Sequence, residues 1–277
     1  AMRVAHDATE LESYLRLAAD FSADHPVVIS DFIEGAREVE VDGITDGRDV
    51  LIGAVIEHIE DAGVHSGDAT MSIPTFTLPE ETVAIIKKYT TAIAKALATT
   101  SPFNIQYLVK DGVVYVIECN LRASRSMPYT SKAVGLNLIE VATSVIMGKS
   151  LKELNLKDPP APPFVAVKAP QFSFMRLGGA DPILGVEMVS TGEVACFGKD
   201  LSDALLTAYE AAEFVIPSNP ASFFISVGSE RDKAKIIPIA QRLGAANFKI
   251  YATRGTANAL SKKNVPGVTP LYKIRDR

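Results

Sequence analysis

Two strand-like runs, Phe103-Asn-Ile-Gln-Tyr-Leu-Val-Lys110 and Val113-Val-Tyr-Val-Ile-Glu-Cys-Asn120, meet at Asp111-Gly112. Asp-Gly between β-branched and aromatic runs is the strongest short-range signal for a β-hairpin. The second run ends in Glu118, Asn120, Arg122 and Arg125. A carboxylate and an amide of this kind suit a divalent cation that holds a polyphosphate. The guanidinium groups beside them suit an acidic substrate, because arginine binds carboxylate and phosphate oxygens in a fork.

Two hairpin registers are open. A two-residue Asp111-Gly112 loop pairs Lys110 with Val113 and sets Glu118 on the opposite face from Gln106. A three-residue Lys110-Asp111-Gly112 loop, with Gly112 left-handed, pairs Val109 with Val113 and puts Gln106, Glu118 and Asn120 on one face. Glu118 and Asn120 share a face either way, being two apart. The cation reading favours the three-residue turn, with Mg²⁺ or Mn²⁺ bridging phosphates and water filling the remaining positions.

Composition sets outer limits. The chain has 277 residues, 47% of them apolar and 22% charged, which is ordinary for a globular protein of one large or two smaller domains. A net charge of -5 leaves no basic footprint, so nucleic acid is not an expected partner. No apolar run approaches the ~20 residues of a membrane helix, so no membrane is expected either. Cys119 and Cys196 make no disulfide framework and lack metal-ligand spacing, and a reducing, cytoplasmic setting is the default. His6, His25 and His58 also lack metal spacing. The first residues have no signal-peptide shape and run straight into a helix, so the chain is expected to begin inside a larger protein.

Along the chain, Asp7 or Thr9 caps a helix carrying Leu11, Tyr14, Leu15 and Ala18. Pro26-Val-Val-Ile-Ser30 reads as a strand, as do Arg37-Glu-Val-Glu-Val-Asp42 and Val50-Leu-Ile-Gly-Ala-Val-Ile56. Glu38, Glu40 and Asp42 fall on one face, Val39 and Val41 on the other. Residues 60–68 form a polar loop in which Gly63, His65 and Ser66 can present backbone groups to a nucleotide. Pro79 starts a helix, and Asn137 caps another that Gly148 ends. Pro159-Pro-Ala-Pro-Pro163 is the one clear break in composition, and a boundary is expected near it. A strand at 164–168, a glycine-rich turn at 177–182 and a helix at 201–213 follow. From Phe223 the rhythm becomes strand-helix-strand-helix, the mark of a parallel sheet. Thr253-Arg-Gly-Thr256 opens the last of these helices, where backbone amides bind anions, and Lys233 can add charge.

These motifs together closely resemble the large chain of carbamoyl-phosphate synthetase. The matching stretches are Glu38-Val-Glu-Val-Asp42, the run from Glu57 to Asp68, Phe103-Asn-Ile-Gln106, the run from Ile117 to Arg125, and Ser190-Thr-Gly-Glu193. The resemblance implies an α/β (α+β) fold: an ATP-grasp C-terminal subdomain with an antiparallel sheet, then a truncated parallel-sheet domain like methylglyoxal synthase. It divides the chain into 1–215 and 216–277. It implies an ATP-dependent ligase that phosphorylates carbamate, with ATP and two Mg²⁺ or Mn²⁺ ions as cofactors. Gln106, Glu118 and Asn120 match metal and phosphate ligands. Ile33 and Glu38 match nucleotide contacts, and Gly63, Val64, His65 and Ser66 the loop on the nucleotide. Arg122 and Arg125 match the arginines that handle carbamate or carbamoyl phosphate. Lys233, Thr253 and Thr256 match a regulatory anion pocket, within which Arg254 is a departure. The implied partners are a glutaminase subunit or fused domain, the remainder of the large chain, further copies in a homo-oligomer, and a small-molecule effector. A mitochondrial location is the alternative to the cytoplasm for a urea-cycle form.

Overall fold

The computed structural model describes residues 3–21, 27–172, 184–218 and 220–272. The chain divides into two compact units, Ala1–Phe214 and Val215–Arg277.

The first unit opens with helix α1 (Ala8–Phe21), whose N-cap is Asp7: its carboxylate accepts from the Glu10 N–H at 2.8 Å. The body of the unit is a seven-stranded sheet. Its strands are β1 (Arg37–Asp46), β2 (Val50–Asp61), β3 (Met71–Ile73), β4 (Thr100–Lys110), β5 (Val113–Asn120), β6 (Val165–Gln171) and β7 (Gly192–Gly198). They lie in the order β5-β4-β1-β2-β3-β6-β7, and every neighbouring pair is antiparallel. Helix α2 (Glu80–Leu97) covers one face. There Ile86 and Ala94 pack on Val39, Val41, Ile105 and Tyr107, and the Tyr107 hydroxyl shares a 2.7 Å hydrogen bond with Thr90.

The opposite face is divided. Ile44 and Leu51 lie under α3 (Met127–Val134) and α4 (Leu138–Ile146), packed with Met127, Leu138 and Val145. Glu38, Glu40 and Asp42 lie on the same face of β1 as Ile44, and of these Glu40 lines a cleft. The period-two alternation of β1 therefore has a structural use: Val39 and Val41 fill the core on one face, and Glu38, Glu40 and Asp42 put acid on the other. Gly53 sits in a bulge where α4 comes close, and a Cβ there would lie 2.7 Å from Leu138 and 3.0 Å from the Asp42 carbonyl.

The polyproline run does not end the unit. The chain returns after it as β6, pairs with β3, and continues into β7 and α5 (Leu201–Ala211). A boundary near Pro159–Pro163 is thus corrected: proline there only excludes sheet and helix from the connection. The strand expected at Pro26–Ser30 is also absent from its described residues. Val27 to Ile33 carry no regular structure, and Val28 is 88% exposed. β-branched composition makes a strand only where a partner edge is on offer. The glycine-rich turn expected at 177–182 lies outside the described residues.

The second unit holds a three-stranded parallel sheet in the order β10-β9-β8, from β8 (Ser222–Ile225), β9 (Lys249–Thr253) and β10 (Val268–Leu271). Helices α6 (Glu230–Ala245) and α7 (Arg254–Ser261) alternate with the strands. Ile225, Ala240, Ile250, Ala252 and Leu260 form its core.

Candidate nucleotide and acid-substrate site

The hairpin uses the two-residue turn, with Lys110 opposite Val113. Asp111 and Gly112 both have positive φ, 49° and 78°, the conformation a tight hairpin with right-handed strand twist demands. The three-residue turn is therefore corrected, yet Gln106 still lies opposite Glu118, and Asn104 opposite Asn120. The reason is a bulge. The register shifts between Gln106 and Tyr107, so Ile117 is an extra residue on β5. It turns the rest of the strand over and delivers Glu118 and Asn120 to the face of Gln106.

That face continues the acidic column of β1, since Glu40 is paired with Gln106 and Asp42 with Asn104. The Asn120 amide donates to Glu118 Oε1 at 2.7 Å, and the Gln106 amide donates to Ser66 Oγ at 3.1 Å. Among the described residues no hydrogen bond uses their amide oxygens or the second Glu118 oxygen. One carboxylate and two amide oxygens fit a hard cation that keeps substrate phosphates and water as its other ligands. Among the described residues no group of three or more His, Cys, Asp or Glu forms an all-protein metal site.

Arg122 and Arg125 are exposed on the loop between β5 and α3. Asp42 fixes that loop. It is fully buried and accepts from Asn104 Nδ2 (2.9 Å), Ser124 Oγ (2.6 Å), Ser126 Oγ (3.0 Å) and Thr130 Oγ1 (2.8 Å). Ser126 Oγ also lies 2.6 Å from Glu40 Oε1, so its single hydroxyl hydrogen is shared between Glu40 and Asp42. Burial, then the neighbouring Glu40, pushes Glu38 up to about 7. Burial, then Asp42, does the same to Glu40. Burial holds the nearby His58 down at about 3, so it is neutral.

Loop 63–68 closes the cleft from the other side. The Gly63 backbone lies close enough to Glu38 to lower its pKa against the larger effect of burial, and Phe32 packs against Gly63, so the segment bearing Ile33 meets this loop. Asp68 anchors the far end, accepting from the Val189 and Ser190 N–H groups at 2.8 Å each. His65 accepts from the Gly67 N–H at 3.0 Å. The Val64 side chain joins the core around Ile56 and Tyr129.

The cleft encloses ≈ 60 Å³ and brings His65, Ser66, Gln106, Arg122 and Arg125 together with Glu40, Asn104 and Lys168. At ~10–15 Å³ per water-sized position, that is room for an ion of a few heavy atoms. Ile33 and Glu38 are not among the residues lining it; Glu38 lies near Gly63, and Ile33 follows Phe32, which packs on Gly63. Reading the sequence did not single out Glu40, Asn104, Ser126 or Lys168 for the site. A charged residue in the middle of the apolar run Val165-Ala-Val-Lys168-Ala was the available signal for the last of these.

Residues 1–154 match the family described as carbamoyl-phosphate synthase L chain, ATP binding domain. The chain belongs to this family. Residues 235–276 match the MGS-like domain. The chain is 47% identical over 266 residues to the multifunctional protein pyr-3 of Neurospora crassa, covering 96% of this chain and 14% of that protein. It is equally identical to the carbamoyl phosphate synthase large chain of Methanothrix thermoacetophila, covering 96% of this chain and 25% of that one. The human mitochondrial carbamoyl-phosphate synthase (ammonia) is 46% identical, with 98% and 18% covered. The chain thus spans a quarter or less of these relatives. The biotin carboxylase domain of a single-chain bacterial carboxylase superposes with a TM-score of 0.56 at 19% identity, over 76% of this chain and 52% of that one. This likeness establishes the ATP-grasp fold of the large sheet.

In the second unit, Thr253 and Thr256 hydroxyls lie 3.2 Å apart at the start of α7, and Ser226 is 3.3 Å from Thr253. The Lys233 ammonium sits 3.9 Å from where a Cβ on Gly255 would be. The three expected anion-pocket residues therefore converge. Arg254 lies over the Tyr272 ring at 5.6 Å.

Proposed function

We propose that the first unit phosphorylates carbamate with MgATP to give carbamoyl phosphate. The observation that carries this is the convergence, in one cleft, of Gln106 and the arginine loop, with Glu118 and Asn120 paired alongside on the same face. A phosphate-holding surface beside a guanidinium-rich surface is what transfer between a polyphosphate and a small acid requires. A carbamate oxygen attacks the γ-phosphorus of ATP, the bond to the β,γ-bridging oxygen breaks, and ADP leaves. Catalysis rests on alignment and charge neutralisation, so no side chain has to move a proton.

Ile33, Glu38 and the Gly63–Ser66 loop hold the nucleotide. Arg122 and Arg125 hold carbamate in line. Gln106, Glu118 and Asn120 would carry Mg²⁺ or Mn²⁺, which supplies positive charge to the β- and γ-phosphates when bound. We further assign residues 216–277 to a regulatory domain that takes an anionic effector at Lys233, Thr253 and Thr256. The remainder of a large chain, a glutaminase, further copies of the enzyme and a cytoplasmic location complete the reading. It is supported by the relatives' names, which include large chains and multifunctional proteins.

The test is ATP formation from MgADP and carbamoyl phosphate by the full-length protein. Turnover that requires both substrates is expected. No ATP under conditions where the protein is folded and binds MgADP would refute the proposal.

A further inference from the structure

Lys168 is 1% exposed, in the middle of β6. Its strand neighbours Val167 and Ala169 pack on Ala204 and Ala208 of α5 and on Ala212 just after it. By the alternation of the strand, Lys168 points the other way, and it lines the cleft with Arg122 and Arg125. Its ammonium donates to the Ser66 carbonyl at 3.2 Å. The closest carboxylate among the described residues is Glu193 at 3.8 Å, outside hydrogen-bond reach. Glu40 and Glu60 act on it at longer range, and the charge of Arg125 opposes them.

Burying an ammonium is costly unless it is paired and hydrogen-bonded. At this position, where both strand neighbours are packed in an alanine-rich core, methionine or leucine fills the space without that cost. Among the described residues Glu193 pairs with the ammonium only at 3.8 Å, and no carboxylate comes within hydrogen-bond distance of it. The group nonetheless stands at the closed end of a cleft whose open rim carries two guanidinium groups. An oxyanion of a few heavy atoms is the ligand that such an arrangement fits.

We propose that Lys168 is a substrate contact: its ammonium takes an oxygen of the small carboxylate or carbamoyl substrate from the floor of the cleft, opposite Arg122 and Arg125. This rests on the functional reading above and names a third cationic group of the same site.

The test is ATP formation from MgADP and carbamoyl phosphate by the full-length protein, with Lys168→Met and Lys168→Arg. For Lys168→Met, KM for carbamoyl phosphate is expected to rise on the order of 10- to 100-fold, the range of a lost charged hydrogen bond. KM for MgADP should stay within about twofold of wild type, since no phosphate of the nucleotide is assigned to Lys168. Lys168→Arg keeps the charge but misplaces it, and should raise KM for carbamoyl phosphate by a smaller factor. Equal KM values for carbamoyl phosphate in wild type and variants overturn the assignment, as does a parallel rise in both KM values. If Lys168→Met does not fold, the Lys168→Arg result decides by the same criterion. A wild-type protein that makes no ATP points instead to failure of the functional reading beneath it.

Discussion

Replacing Asp42 with alanine should both unfold the site and destabilise the protein. The carboxylate accepts four hydrogen bonds in a fully buried position. Each such bond is worth ~1 kcal/mol net, and an orphaned buried donor costs ~1–3 kcal/mol, so Asp42→Ala is expected to cost ~4 kcal/mol or more. That is a large part of the ~5–15 kcal/mol that holds a typical domain together. Asp42→Asn keeps the shape and one acceptor oxygen. The hydroxyls of Ser126 and Thr130 would then meet an amide in place of a carboxylate oxygen, and the cost should drop to ~1–2 kcal/mol. Urea titration of both variants reads these values directly. Because Ser124 and Ser126 flank Arg125, the alanine variant should also raise KM for carbamoyl phosphate. An Asp42→Ala protein within ~1 kcal/mol of wild type would refute the claim that this carboxylate organises the arginine loop.

Gly63→Ala should weaken nucleotide binding, because Gly63 has φ of +114° and a Cβ there would meet the Phe32 ring at 2.8 Å. Calorimetry with MgATP checks this, and Phe32→Ala in the same chain should restore only the part caused by the clash. Glu38 and Glu40 are both raised toward 7 from 4.5, so the folded state binds protons that the unfolded state has released. Their contribution to stability is full below about pH 4.5 and is lost as pH rises to about 7. Melting temperature in the absence of ligand should therefore fall across that window, and Glu40→Gln should flatten the fall. Neutral His58 acts in the opposite sense, adding stability above about pH 6.5 that is lost as pH falls toward 3. In the second unit, Thr256→Val removes the acceptor of the Val227 N–H at 3.0 Å, and a drop of ~1–2 kcal/mol is expected on urea titration.

How much of this was legible in the sequence depends on range. The alternation Glu38-Val-Glu-Val-Asp42 is local, and it correctly separated the core face of β1 from the cleft face. Asp111-Gly112 is local too, and it marked the turn. The Ile117 bulge was not legible, because a bulge is decided by how two strands fit, and Ile117 is an unremarkable strand residue. Two opposite errors met there: the wrong turn length and the missed bulge each displace β5 by one residue, so the facing of Glu118 came out right. Asp42 was placed on the correct face, but its partners lie 62 to 88 positions away, beyond any periodicity argument. Lys168 sits in a run read simply as a strand, and only the pairing of β6 with β3 shows which face it takes. Val27 to Ile29 mark the converse limit, since strand-like composition found no edge to join.

The central claim is that the hairpin face bearing Glu118 is the phosphate-holding surface of a carbamate-phosphorylating site. The most direct measurement is the rate of ATP formation from MgADP and carbamoyl phosphate in the full-length protein carrying Glu118→Gln. Glu118 is exposed, so folding should be unaffected and the melting temperature unchanged. The predicted result is a loss of at least ~100-fold in kcat, the scale of removing a charge that serves the transition state. Wild-type turnover from that variant would contradict the account.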